Sequence, residues 1–335
     1  MTINIGIIGA GRIGRLHAAN LVHRIPEARV AAIADIVPEA ALAAAEQLGI
    51  PQATADYREI LSNPEIDAVA ICSATDTHAR IIIEAAQAGK HIFCEKPIDH
   101  DLARIDQALE AVKQAGVKLQ IGFNRRFDAN FRAVREAITA GKIGEPHVIR
   151  ITSRDPAPPP VDYIRVSGGI FLDMTIHDFD MIRFLMDNPV VEVYATGSVL
   201  IDPAIGEAGD VDTAVTTLKF ESGAIGIIEN SRKAVYGYDQ RVEVFGSKGA
   251  IAAENNTPYR ATLSDETGVH GPTPLYFFLE RYNDAYVTEL SDFIRAVEED
   301  KPTPVTGEDG RAPVVIGLAA LKSLRENRPV KLDEI

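Results

Sequence analysis

Apolar residues in the N-terminal third of the chain fall into short uninterrupted runs: Ile3–Ile8, Val30–Ala34, Ala68–Cys72, His91–Cys94 and Lys118–Ile121. Runs of this length without polar alternation predict strands buried on both faces, as in a parallel sheet. Between them, apolar positions recur at helical spacing over Ile13–His23, Glu39–Leu48, Arg80–Ala88 and Leu102–Ala115. Gly49, Gly89 and Gly116 follow three of these segments, where a left-handed residue ends a helix without steric cost. The alternation predicts an α/β fold with a doubly wound parallel sheet of the Rossmann type.

The texture changes near Phe123. Asn130–Ala140 predicts a helix, His147–Ser153 a strand, and Asp155-Pro156-Ala157-Pro158-Pro159-Pro160 a loop, because proline removes the donors that helices and ladders need. Ile170–Met186 predicts one long helix. Strand patterns then dominate at Val191–Leu200, Ala214–Phe220, Ala224–Glu229, Arg241–Phe245 and Ala250–Ala253, and Tyr286–Glu299 and Arg311–Asn327 predict closing helices. Strands this closely spaced predict a C-terminal α+β domain with a large, mainly antiparallel sheet. The expected division is residues 1–122 and 123–335.

Composition narrows the function. The 335 residues are 46% hydrophobic and 24% charged, which fits an ordinary globular chain with a sizeable core. The 34 Lys and Arg against 48 Asp and Glu leave a net charge of −14, with no long basic run, so nucleic acid and anionic membrane surfaces are excluded as partners. The opening Met1-Thr2-Ile3-Asn4-Ile5-Gly6-Ile7-Ile8-Gly9 lacks a signal-peptide pattern, and no apolar run approaches the roughly 18–20 residues that span a bilayer, so a cytoplasmic protein is expected. Cys72 and Cys94 lack CxxC or zinc-ligand spacing and read as buried reduced thiols.

Gly9-Ala10-Gly11-Arg12-Ile13-Gly14 matches GxGxxG. It follows a strand, opens a helix and precedes a second strand that ends in Asp35, which is the context that makes this motif specific for a dinucleotide. Gly9 allows the turn, Gly11 the approach of the pyrophosphate, and Gly14 close helix–strand packing; Arg12 and Ile13 open the phosphate-facing helix. Asp35 suits ribose hydroxyls and repels a 2′-phosphate, and Ile36 supplies no cation, so NAD is expected over NADP. Asp35 as a cap for the helix after Pro38 is the competing reading. Ser73, Thr75, His78, Glu95 and Lys96 follow or end strands at the carboxyl edge, where ligands of open α/β sheets bind, and are candidate cofactor contacts.

Asp173 and His177 are four residues apart and so share a face of the predicted helix. Three readings compete: a buried hydrogen-bonded network, a metal site with two carboxylates and an imidazole, and acid–base catalysis together with Lys96. No further His/Asp cluster supports a metal, and none is expected.

Gly9–Gly14, Glu95-Lys96-Pro97, and an Asp-x-x-x-His segment within a mainly β second half together resemble the glucose-fructose oxidoreductase/inositol dehydrogenase (Gfo/Idh/MocA) family over essentially the whole chain. Residues 122–128, 168–180 and 235–241 resemble its inositol-oxidising members. The resemblance implies Lys96, Asp173 and His177 as the catalytic set, substrate contacts from these and from Arg126, Asp155 and Tyr236, and a homotetramer built on second-domain sheets. It also implies NAD-dependent oxidation of a cyclitol ring hydroxyl, as in myo-inositol to its 2-keto product. The alternatives are scyllo- or chiro-inositol or a pyranose sugar as substrate, or a non-enzymatic NAD-binding regulator.

Overall fold

The computed structural model describes residues 2–335, so Met1 of the opening segment lies outside the described residues. By internal packing the chain divides into two compact units: residues through Phe127 together with Asp284–Val314, and Asp128–Asn283 together with Val315–Ile335. The sequence pattern predicts a single boundary at 122/123. The structure differs because one C-terminal segment returns to the first unit, which an apolar helical pattern cannot announce: it shows that a helix has a face to bury, and not which sheet receives it.

In the first unit β1 (Ile3–Ile8), β2 (Ala28–Ala34), β3 (Gln52–Thr54), β4 (Ala68–Ile71), β5 (His91–Glu95) and β6 (Leu119–Gly122) form a sheet in the order β3-β2-β1-β4-β5-β6, and all its pairings are parallel. The order reverses about β1, which makes the carboxyl ends of β1 and β4 the ligand edge. Helices α1 (Arg12–Arg24), α2 (Pro38–Leu48), α3 (Tyr57–Ser62), α4 (Thr75–Gln87) and α5 (Leu102–Ala115) connect the strands. The short pair β3 and α3 has no counterpart in the apolar pattern, since Gln52-Ala53-Thr54 is half-buried. α4 begins five residues before the expected Arg80, its first turn hidden by the polar Thr75-Asp76-Thr77.

In the second unit β7 (Pro146–Arg154), β8 (Val190–Ser198), β9 (Thr213–Phe220), β10 (Ile225–Ser231), β11 (Asp239–Gly246), β12 (Gly249–Ala253), the hairpin β13 (Leu263–Asp265) and β14 (Gly268–His270), and β15 (Val330–Lys331) are the strands. Seven of them form a mixed sheet in the order β12-β11-β7-β10-β9-β8-β15, antiparallel except at β7–β10. Burial alternates strictly along β9, with Ala214, Thr216, Leu218 and Phe220 inward, so one sheet face is covered and the other open. Helices α6 (Ala129–Thr139), α7 (Val161–Ser167), α8 (Ile176–Met186), α9 (Pro203–Glu207) and α10 (Phe278–Arg281) belong here.

Two further helices close the chain. Leu290, Phe293 and Ile294 of α11 (Asn283–Glu298) join Ile5, Ile7, Val30 and Phe93 in the first unit's core. α12 (Gly307–Glu326) is divided at Val314 between the units. Its Gly310 lies against Ile98 and Ile121, and its Gly317 against Leu172.

The predicted single helix over Ile170–Met186 is broken. Ile170–Met174 is a π-helical turn, closed by the Thr175 N–H donating to the Ile170 carbonyl at 2.8 Å, and α8 starts only at Ile176. Gly168 and Gly169, at φ 87° and 76°, set up this turn, and Gly169 is held there because a Cβ would lie 2.8 Å from Asp210 Oδ1. Asp173 therefore sits in the widened turn while His177 lies in the regular helix, so the i,i+4 rule does not describe the pair.

Candidate active site

Pairings Ile8↔Ala34 and Ile8↔Ile71 bring the ends of β1, β2 and β4 level, so Gly9, Asp35 and Cys72 emerge side by side. The glycine turn is made of backbone and little else. A Cβ on Gly9 would lie 2.6 Å from the Cys72 carbonyl, and one on Gly14 would lie 1.9 Å from the Gly9 carbonyl oxygen. Gly11, by contrast, is exposed and has nothing within 4 Å of a built Cβ. Two glycines are thus required by packing, while the third leaves bare backbone facing solvent. α1 carries no side-chain cap and no acid in its first turn, so its leading N–H groups at Arg12 and Ile13 suit an anion. These features fit the pyrophosphate of a dinucleotide.

Asp35 braces this turn. Its Oδ2 accepts the Ala10 N–H at 2.7 Å and its Oδ1 accepts the Val37 N–H at 2.9 Å. Asp35 thus stands at the strand end expected of a ribose ligand, while the competing capping reading fails: α2 has Val37 as its N-cap and no side-chain cap bond. Ile36 is 90% exposed beside it, with no cation of its own to offer a 2′-phosphate. Arg15, which lies outside the glycine motif, donates from Nε to the Ala10 carbonyl at 3.0 Å.

The expected contacts farther along the edge have distinct surroundings. Ser73 Oγ and Thr77 Oγ1 are 2.7 Å apart, and Thr75 is half-buried at the start of α4. His78 is buried, with Nδ1 2.8 Å from the Pro97 carbonyl and Nε2 2.9 Å from the Ser73 carbonyl. Both ring nitrogens therefore lie against loops that carry other edge residues, and the one that bears the proton donates to its carbonyl. Glu95 is buried too, 2.7 Å from Nε2 of the fully buried His17 on α1, with its carboxylate packed over Gly122. Lys96, half-buried, follows it at the edge and precedes a cis peptide to Pro97. Arg126 donates from Nη2 to Asp309 Oδ1 at 3.0 Å; burial would raise the Asp309 carboxyl, but Arg126 and the Thr306 N–H hold it below its usual range. Burial pushes both cysteine thiols well up, which suits inert core residues.

In the second unit Asp173 and His177 are both half-buried. Tyr163 Oη donates to Asp173 Oδ1 at 2.9 Å, and Arg232 Nη1 lies 3.5 Å from Asp173 Oδ2. Arg232, 1% exposed, also reaches Asp210 Oδ2 at 3.3 Å, and Asp210 Oδ1 takes the Ile170 N–H at 3.0 Å. The start of α8 is fixed separately: Thr175 Oγ1 donates to Asn230 Oδ1 at 2.9 Å, and Asn230 Nδ2 donates to Asp178 Oδ2 at 2.8 Å. Asn230, Arg232, Asp210 and Tyr163 carry no local sequence signal; Asn230 and Arg232 become partners of α8 and Asp173 only through the strand pairing that delivers the end of β10.

Asp155 is half-buried, and its backbone is clamped to the end of β10 through Ser231 and Ala234. Tyr236 Oη donates to Asp239 Oδ2 at 2.6 Å and accepts from Arg154 Nη1 at 2.6 Å. Burial and the bond to Asp239 raise the Tyr236 hydroxyl, so it stays a neutral donor and acceptor. Lys96 and Arg126 thus belong to the first unit, and Asp155, Asp173, His177 and Tyr236 to the second. Among the described residues, no group of three or more His, Cys, Asp or Glu is placed to hold a metal ion.

Comparison with known proteins bears directly on this arrangement. Residues 3–123 match the model of an oxidoreductase family with an NAD-binding Rossmann fold, and residues 131–252 match the GFO/IDH/MocA C-terminal domain. The chain is 56% identical to a myo-inositol 2-dehydrogenase of Thermotoga maritima, over 99% of both chains. It is 50% identical to an inositol 2-dehydrogenase of Rhizobium meliloti, over 99% of this chain and 100% of the other. A crystal structure of scyllo-inositol dehydrogenase from Lactobacillus casei with bound NAD(H) and scyllo-inositol superposes with a TM-score of 0.94 at 32% identity, covering 99% of this chain and 100% of that one. The chain belongs to the GFO/IDH/MocA oxidoreductase family, and its N-terminal domain is an NAD-binding Rossmann fold.

Proposed function

We propose that the protein is an NAD-dependent inositol 2-dehydrogenase that oxidises myo-inositol to 2-keto-myo-inositol with formation of NADH, an oxidative entry to inositol catabolism. The observation that carries this reading is the likeness at 50–56% identity, over the full chain, to two inositol 2-dehydrogenases. The residues suit the chemistry. Gly9, Gly11, Arg12, Ile13, Gly14 and Asp35 would hold the dinucleotide, with Ser73, Thr75 and the loop fastened by His78 and Glu95 supporting its other end. NAD, when bound, supplies the acceptor for the hydrogen that leaves the carbinol carbon with its electron pair.

The proton has to leave as well. His177 acts as general base for the ring hydroxyl. Lys96 places a fixed positive charge beside the oxygen as negative charge develops there. Asp173 accepts a substrate hydroxyl, and Arg126, Asp155 and Tyr236 supply further polar contacts that suit a neutral polyol. Two unpaired buried thiols, Cys72 and Cys94, fit a cytoplasmic setting, and no described helix is long and apolar enough to cross a membrane. A homotetramer is supported by the open face of the second unit's sheet, where Tyr194, Val215, Ile225 and Phe245 stand 36–52% exposed.

The test is a panel of myo-, scyllo- and chiro-inositol and aldoses, each with NAD, followed by NADH absorbance. Turnover of myo-inositol above the others is the expected result. Preference for another isomer or an aldose would move the substrate assignment within the family, and NAD binding without turnover of any polyol would leave a regulator.

A further inference from the structure

Arg232 stands out as a charged group buried where burial is costly. It is 1% exposed, it follows the last residue of β10, and its Nε finds no acceptor among the described residues. A buried guanidinium with an unfilled donor costs stability unless its surroundings repay it. Its two terminal nitrogens meet two carboxylates: Nη1 is 3.5 Å from Asp173 Oδ2 and Nη2 is 3.3 Å from Asp210 Oδ2. The other oxygen of each carboxylate is also engaged, Asp173 Oδ1 by Tyr163 Oη and Asp210 Oδ1 by the Ile170 N–H. Arg232 therefore touches Asp173 directly and, through Asp210, the Gly168–Ile170 turn from which the π-helical segment carrying Asp173 begins.

We infer that Arg232 is a positioning residue for the dehydrogenase reaction: it fixes the orientation of Asp173, leaving substrate contact to Asp173 itself. The inference rests on the reading of Asp173 as part of the catalytic set. The physical reason is that a half-buried carboxylate on a widened helical turn has several rotamers of similar energy, and a guanidinium is the side chain whose planar, permanently charged fork selects one. A buried Lys in its place would supply a point charge without the fork.

A double-mutant cycle tests this, using full-length protein with NAD and myo-inositol and the variants R232Q, R232K, D173N and R232Q/D173N. NAD dissociation constants and melting temperatures are measured alongside kcat and KM. R232Q is expected to lower kcat/KM for inositol by roughly 100-fold, and R232K to recover about tenfold of that, with the NAD dissociation constant changed less than about threefold. Added to D173N, R232Q is expected to change kcat/KM less than about threefold, because the group it acts through is already disabled. Equal losses from R232Q in both backgrounds, or wild-type kcat/KM in R232Q, would overturn the inference. D173N with wild-type turnover would instead remove Asp173 from the catalytic set, and wild-type protein without inositol turnover would remove the reaction. If R232Q does not fold, the cycle is run with R232K, and equal loss in both backgrounds is again the overturning result.

Discussion

The two units build their candidate ligand edges from different materials. In the first, the edge is mostly backbone: a glycine turn where Gly9 and Gly14 are required by sub-van der Waals proximity and Gly11 by the room it leaves, an uncapped helix end, and one carboxylate, Asp35, bonded to two N–H groups. In the second, the edge is a lattice of side chains, with Asp173, Tyr163, Arg232 and Asp210 on one side and Thr175, Asn230 and Asp178 on the other. A backbone site is specified by where residues must be small, and such requirements cluster within a few residues. A side-chain lattice is specified by who meets whom across a sheet, and its members are scattered over tens of residues.

On that contrast, the largest effects belong to the groups proposed to handle the reacting atoms. His177→Ala and Lys96→Ala are each expected to lower kcat by about 1,000-fold or more, since acid–base and electrostatic groups of this kind contribute ~100- to 10,000-fold. NAD affinity measured by fluorescence should stay within severalfold for His177→Ala. A kcat loss of less than tenfold in either variant would take that residue out of the proposed mechanism.

Next come the glycines, which separate fold from binding. Gly14→Ala forces a Cβ against the Gly9 carbonyl oxygen, so both the melting temperature and NAD affinity are expected to fall, the latter by about 100-fold. Gly11→Ala meets nothing in the protein itself, so the melting temperature without cofactor should hold while NAD binding weakens. Equal destabilisation by both substitutions would show that Gly11 serves the fold, and the backbone-edge description would fail.

The side-chain lattice makes the opposite prediction. Asn230→Ala leaves Thr175 and Asp178 without their shared buried partner and is expected to cost about 2–3 kcal/mol of stability, read from urea unfolding. Its kcat for inositol should fall, because the start of α8 carries His177, while NAD affinity should not change. A variant with weakened NAD binding and intact kcat would reverse the roles assigned to the two regions.

The same contrast governs what could be read from the amino-acid sequence. GxGxxG, the strand-end Asp35 and the Glu95-Lys96-Pro97 segment are legible because their chemistry is local. Asp173 and His177 were legible through the family resemblance, yet their predicted shared helical face was not what the chain adopts: the i,i+5 bond from Thr175 to Ile170 is invisible to a 3.6-residue periodicity. Arg232 and Asn230 were missed because their roles arise only once β10 pairs with β7 and β9. Likewise the apolar face of α11 is plain in sequence, while its place in the first unit's core depends on residues 128–283 having folded into the other unit.

The smallest expected effect concerns charge at the rim of the lattice. Asp239 accepts hydrogen bonds from Arg241, Tyr236 and Asn255. Burial alone would raise its carboxyl, but those bonds and the Arg241 charge outweigh it and hold the folded-state value below the usual one. A depressed folded value means that the contribution to stability is fully present above the unfolded carboxylate value of about 3.9 and is lost as pH falls through the folded value. Asp239→Asn removes the titration, so the gap in urea midpoint between wild type and variant should be flat from about pH 7 to pH 5 and narrow progressively below about pH 4. A gap that stays constant down to pH 3 would show that Asp239 contributes through its shape and hydrogen bonds rather than through its charge, and that even this rim of the second unit is held by geometry.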